Sequence, residues 1–183
     1  YAKANNNYPT DLKGNYQKEN TATCLAAIQQ LKKDKWNIEE NAIKNGFANT
    51  IKNTSLLGRW QTLNSNPLTI CDTGHNEDGI TQICKQLTAI NYNKLHFVFG
   101  TVNDKNISSI LQLLPKNATY YFCKANIARA MDAEELQVLA SNYKLSGDAY
   151  TSVKEALKAA ETYATNKDLI FIGGSTFVVA EVL

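Results

Sequence analysis

Long apolar runs are missing from this sequence. The stretches near the carboxyl end, Leu169 to Ile172 and Phe177 to Ala180, fall far short of a membrane span, which needs ~20 residues. The amino terminus is polar and carries no signal-peptide pattern, so no membrane is expected and a cytoplasmic location is. Paired cysteines are missing too. Cys24, Cys71, Cys84 and Cys123 lie far apart without a C-x-x-C spacing, which excludes a paired-thiolate zinc or redox centre and leaves reduced, mostly buried thiols. Histidine is scarce, with only His75 and His96, so no histidine-rich metal site is expected. The 19 basic and 17 acidic residues give a formal charge of +2 and form no basic run, which argues against nucleic acid as a partner. No G-x-x-x-x-G-K-[ST] loop and no G-x-G-x-x-G after a strand is present, so the chain has no phosphate-gripping loop of its own.

What remains is an ordinary globular composition, 44% hydrophobic and 20% charged over 183 residues, long enough to bury roughly two-thirds of the surface of the unfolded chain. The only methionine is Met131 and residue 1 is Tyr1, so the chain is expected to come from a longer polypeptide. Residues 1–20, with Asn5-Asn6-Asn7 and Pro9, lack periodicity and are expected to be an irregular lead-in. Residues 21–66 are expected to form a helical connection. Thr21 caps a helix carrying Leu25, Ile28 and Leu31, and a second helix runs from Ile38 to about Asn49 with Ile43 and Phe47 on its apolar face.

After Pro67 short apolar runs alternate with helical periodicity. Strands are expected at Leu68 to Asp72, Leu95 to Gly100, Thr119 to Cys123, Leu145 to Gly147 and Leu169 to Gly173; helices at Asp78 to Ala89, Asn106 to Leu114, Ala133 to Ser141 and Val153 to Ala164. The fold class is therefore α/β, Rossmann-like: a mostly parallel sheet of about six strands with helices on both faces. Thr176 to Leu183 follows Gly173-Gly174-Ser175 and is expected to return as a final antiparallel edge strand. In such sheets ligands sit at the carboxyl ends of the strands.

Asp72-Thr73-Gly74-His75-Asn76 leaves the first core strand on that rim. Asp72 can accept from ribose hydroxyls, and His75 and Asn76 can present donors near a helix start; the same residue types also make a simple capped turn. Gly58-Arg59 offers a planar fork to a polyphosphate, although a surface ion pair is the commoner fate of such an arginine taken alone. Asn20 lies just ahead of the first expected helix, as a turn residue does. Ser175, after two glycines, can bind a carboxylate through its hydroxyl and neighbouring amides, and it lacks the G-x-S-x-G setting of a hydrolase nucleophile. Asp104-Lys105 also falls on the rim, where it can be a solvated pair opening a helix.

In order, Gly14-Asn15-Tyr16-Gln17-x-x-Asn20, Gly58-Arg59, Asp72-x-Gly74-His75-Asn76, Phe97-Val98-Phe99-Gly100 with Asp104-Lys105, and Gly173-Gly174-Ser175 resemble the carboxy-terminal half of folylpolyglutamate synthase / dihydrofolate synthase, in the Mur ligase superfamily. The resemblance implies an ATP-dependent ligase that forms an acyl phosphate on dihydropteroate or folate and joins it to L-glutamate. It implies an amino-terminal P-loop domain elsewhere that brings the phosphate loop and Mg2+, without which this chain is inactive. On the matching positions it implies that Asn20, Arg59, Asp72 and Asn76 contact ATP, with Arg59 also acting on the transferring phosphate, and that His75 and Ser175 meet the glutamate. Thr73-Gly74 stands where that family commonly has Gly-Ala, and Glu77 where the wider superfamily often has proline. A Mur-type peptidoglycan-precursor ligase and a non-catalytic α/β binding module are the alternative readings.

Overall fold

The run Leu95-His96-Phe97-Val98-Phe99 is apolar on both faces, which suits only a strand covered on both sides. In the computed structural model, which describes residues 8–103 and 107–183, it is strand β3 (Leu95–Phe99) near the middle of the sheet. Asn5-Asn6-Asn7 and Asp104-Lys105 lie outside the described residues. The chain divides into two compact units, Tyr1–Arg59 and Trp60–Leu183.

The larger unit holds all six strands: β1 (Gln61–Ser65), β2 (Leu68–Cys71), β3, β4 (Ala118–Cys123), β5 (Ser146–Tyr150) and β6 (Leu169–Gly173), in spatial order β1-β2-β6-β3-β4-β5. Every pairing is parallel except β1 with β2. Alternate residues of each strand point to opposite faces. On one face Phe97, Phe99, Tyr120, Phe122 and Phe171 pack under Ile80, Ile83 and Leu87 of α4 (Glu77–Leu87), Ile107, Ile110 and Leu111 of α5 (Ile107–Leu113), and Leu136 of α6 (Ala133–Ser141). On the other, Val98, Tyr121, Ile170 and Ile172 pack against Val153, Ala156 and Ala160 of α7 (Val153–Tyr163) and Val178 and Val179 of α8 (Thr176–Ala180). Each such apolar side chain contributes about 1.5–3 kcal/mol on burial. The parallel sheet with helices on both faces is thus as the sequence pattern implies.

Two expectations are corrected. The antiparallel edge strand exists, but it is β1, at the start of the sheet. Thr176 to Leu183 does not return as a strand; Ser175 caps a short helix there, its hydroxyl accepting from the Phe177 amide at 3.2 Å. Because Gln61–Ser65 belongs to the sheet, the unit boundary falls at Arg59/Trp60, ahead of the 66/67 border expected from Pro67.

The smaller unit carries α1 (Gln17–Lys33), α2 (Glu40–Ala48) and α3 (Thr50–Thr54). The Tyr8 hydroxyl donates to Glu40, and its ring meets Phe47 edge-on at 6.0 Å. An Asp11 carboxylate oxygen accepts from the Ile51 amide at 2.9 Å. Helix α1 begins at Gln17 rather than after Thr21, so Asn20 lies in its first turn and donates through Nδ2 to Gln17 Oε1 at 3.0 Å. Among the described residues no helix is long and apolar enough to cross a membrane.

Candidate functional site

A cleft of about 710 Å³ opens at the carboxyl ends of the parallel strands. Its walls come from the loop after β2 (His75, Asn76, with Glu77 and Asp78 of α4), the loop after β3 (Thr101, Val102), Arg129 after β4, and Gly174 to Phe177 after β6. This is where an open α/β sheet collects ligands, because the loops that follow each strand emerge together.

The floor beside the cleft is set by Asp72. It is only 2% exposed, and its two carboxylate oxygens accept from the Trp60 amide at 2.7 Å and the Gly74 amide at 2.8 Å. Trp60 has φ 49°, a left-handed conformation uncommon for a bulky residue, so this bond holds a strained position. Asp72 therefore has a structural duty first.

His75 is exposed, and its Nδ1 lies 3.0 Å from the Thr73 carbonyl. A carbonyl only accepts, so Nδ1 carries the proton and Nε2 of the neutral ring is left as an acceptor. The Asn76 side chain accepts from the Gly79 amide at 2.7 Å and so serves as the cap of α4. Ser175 is 5% exposed; a hydroxyl that accepts from an amide still has a proton to donate. Gly174 before it has φ 96°, and a Cβ there would stand 2.4 Å from the Phe99 ring. Only glycine lets the chain leave β6 by this route.

His75, Asn76 and Ser175 are thus brought to one cleft, with Asp72 beneath the turn that bears two of them. Asn20 and Arg59 belong to the smaller unit. Sequence reasoning missed Arg129, Thr101 and the acidic pair Glu77 and Asp78 as cleft residues. Rim position was the one signal available for them, since each follows a strand or opens the helix after it. Among the described residues no group of three or more His, Cys, Asp or Glu side chains is placed to hold a metal ion.

The fold is an open α/β domain with a cleft at the carboxyl edge of its parallel strands. The chain belongs to the family described as Mur ligase, glutamate ligase domain, whose model matches residues 58–176. It is 32% identical over 174 residues to a Haloferax volcanii protein named "Probable bifunctional folylpolyglutamate synthase/dihydropteroate synthase", covering 93% of this chain and 20% of that one. It is 31% identical over 166 residues to the Escherichia coli dihydrofolate synthase/folylpolyglutamate synthase, covering 90% of this chain and 37% of that one. A solved structure, Escherichia coli FolC in complex with DHPP and ADP, superposes with a TM-score of 0.78 at 29% identity, over 97% of this chain and 40% of that one. The chain thus spans between one-fifth and two-fifths of the length of these relatives.

Proposed function

We propose that this chain is the glutamate-presenting, nucleotide-closing domain of an ATP-dependent amide ligase that adds L-glutamate to dihydropteroate, to folates, or to both. The observation that carries the reading is the strand-end cleft, which holds His75 and Ser175 on a domain of the Mur ligase, glutamate ligase family. Two features of its chemistry support it. The described lining of the cleft offers hydrogen-bonding side chains and includes no cysteine, and in the sheet core burial pushes the Cys71 thiol up to about 12 and raises the Cys123 thiol further. A domain without a phosphate loop suits a ligase whose triphosphate grip and Mg2+ ligands lie on a P-loop domain outside this chain.

In the proposed reaction ATP, when bound, supplies the phosphoryl group that activates the substrate carboxylate. The residues of this chain bind and orient. Asp72 holds the turn after β2 and meets the ribose; Asn20 and Asn76 contact the nucleotide, Asn76 with the amide protons left over from its capping bond. Arg59 places its positive fork against the developing phosphate charge. His75 Nε2 accepts from the glutamate ammonium and orients its nitrogen, and the Ser175 hydroxyl donates to a glutamate carboxylate. Once the ammonium has given one proton to His75 Nε2, the free amine attacks the activated carbonyl; the amide C–N bond forms as the C–O bond to phosphate breaks, and the second amine proton passes to solvent.

The test is glutamate-dependent phosphate release from ATP, with dihydropteroate or a reduced folate as acceptor. It compares this chain alone with the complete ligase that carries it. Release by the complete ligase and none by the chain alone is expected; a complete ligase that releases phosphate only with a peptidoglycan-precursor acceptor would replace the folate reading.

A further inference from the structure

The geometry points to Arg129 as the anchor for the side-chain carboxylate of the incoming glutamate, the residue that makes the cleft choose an acidic amino acid. This rests on the proposed ligase activity and goes beyond it by naming a specificity residue. Among the described cleft residues Arg129 is the one lysine or arginine, while Glu77 and Asp78 supply negative charge to the same space. Glutamate carries two carboxylates, so a cleft with only those fixed charges would repel it. The Ser175 hydroxyl brings a single donor and His75, with its Nδ1 on the Thr73 carbonyl, presents only Nε2, whereas a guanidinium brings five donors in a fork matched to a carboxylate.

Arg129 is also held ready for that task. Its guanidinium carbon lies 4.9 Å from the centre of the Phe177 ring, a stacking contact that limits the side chain's freedom and reduces what ordering costs on binding. The Phe177 amide donates to Ser175 Oγ, so the arginine and the serine share one wall. The backbone beneath is stitched to the loop after β3: the Asn103 amide donates to the Arg129 carbonyl at 3.0 Å, the Met131 amide to the Thr101 carbonyl at 3.0 Å, and Val102 pairs with Ala130. A surface arginine with no ligand to meet needs neither the aromatic support nor the pinned loop.

The experiment measures steady-state kinetics of the complete ligase and of its Arg129→Ala and Arg129→Lys variants, with L-glutamate and L-glutamine as competing amine donors. Arg129 is exposed, so both variants are expected to fold. Arg129→Ala should raise the KM for L-glutamate about tenfold or more, leave the KM for ATP within about twofold, and erase most of the preference for glutamate over glutamine. Arg129→Lys, which keeps the charge and loses the fork, should fall between. An unchanged glutamate KM and preference in an active Arg129→Ala enzyme would overturn the inference while leaving the ligase reading intact. A wild-type enzyme with no glutamate-dependent turnover would remove both.

Discussion

Replacing Asp72 separates its structural duty from any contact with nucleotide. Asp72→Ala removes the acceptor for two amides, those of Trp60 and Gly74, at 2.7 and 2.8 Å. Leaving a buried donor unsatisfied costs about 1–3 kcal/mol. Trp60 is 6% exposed and no water can readily replace the lost bond, so its amide incurs the upper part of that range. Gly74 is half-buried and can be partly rescued by solvent, so it incurs the lower part. The sum, about 3–4 kcal/mol, corresponds to a fall in Tm of roughly 6–16 °C for a chain of this length. Asp72→Asn keeps one acceptor oxygen and turns an amino group toward the other donor, so its loss should be close to half. The assay is thermal unfolding of the chain with no nucleotide present, followed by near-ultraviolet circular dichroism that reports on Trp60. A Tm for Asp72→Ala within about 2 °C of wild type would refute the assigned hydrogen bonds and return Asp72 to a purely ligand-facing role.

Gly174→Ala should destabilise the chain by about 2–4 kcal/mol in urea unfolding, because its Cβ would meet both the Phe99 ring at 2.4 Å and the Gly100 carbonyl at 2.7 Å at a φ of 96°; an unchanged midpoint would contradict this path for the chain. Burial of His96 lowers its pKa below the ordinary 6.5, against the opposing pull of Asp168. The unfolded state therefore takes up a proton that the folded state refuses, and stability should fall as pH drops from 7 to 5, by at most about 1.4 kcal/mol per pH unit. Asp132 and Asp168, whose pKa values are lowered from 3.8, lose their contributions only at still lower pH, so a His96→Gln variant should flatten the slope above pH 5. In the complete ligase, Arg59→Ala should reduce turnover by about two orders of magnitude; wild-type rates would take Arg59 out of the site.

The parallel sheet was legible because doubly covered strands leave unbroken apolar runs: Leu95 to Phe99 and Leu169 to Ile172 cannot face water on either side. The edge strand was not. Gln61–Ser65 has Leu63 as its only large apolar residue, as an edge exposed on one side permits, and local composition alone reads it as connection. Residues 176–180 misled in the other direction, since Val178-Val179 favours a strand by propensity. Packing of both valines under the sheet and capping by Ser175 decide for helix instead. Among the candidate residues, His75, Asn76 and Ser175, which line the cleft, and Asp72 beside it drew notice through their place after strands. Arg129 was less visible: it follows β4, but what brings it to the cleft is the folding back of its loop onto Thr101 to Asn103, a non-local pairing that spacing alone does not encode.

The measurement that bears most directly on the proposed chemistry follows the oxygen atoms. Dihydropteroate labelled with heavy oxygen in its carboxylate is turned over by the complete ligase with ATP and L-glutamate, and the released phosphate is weighed by mass spectrometry. An acyl phosphate broken by the glutamate nitrogen leaves one labelled oxygen on phosphate, and that transfer is the predicted result. Unlabelled phosphate accompanying amide formation would contradict the account.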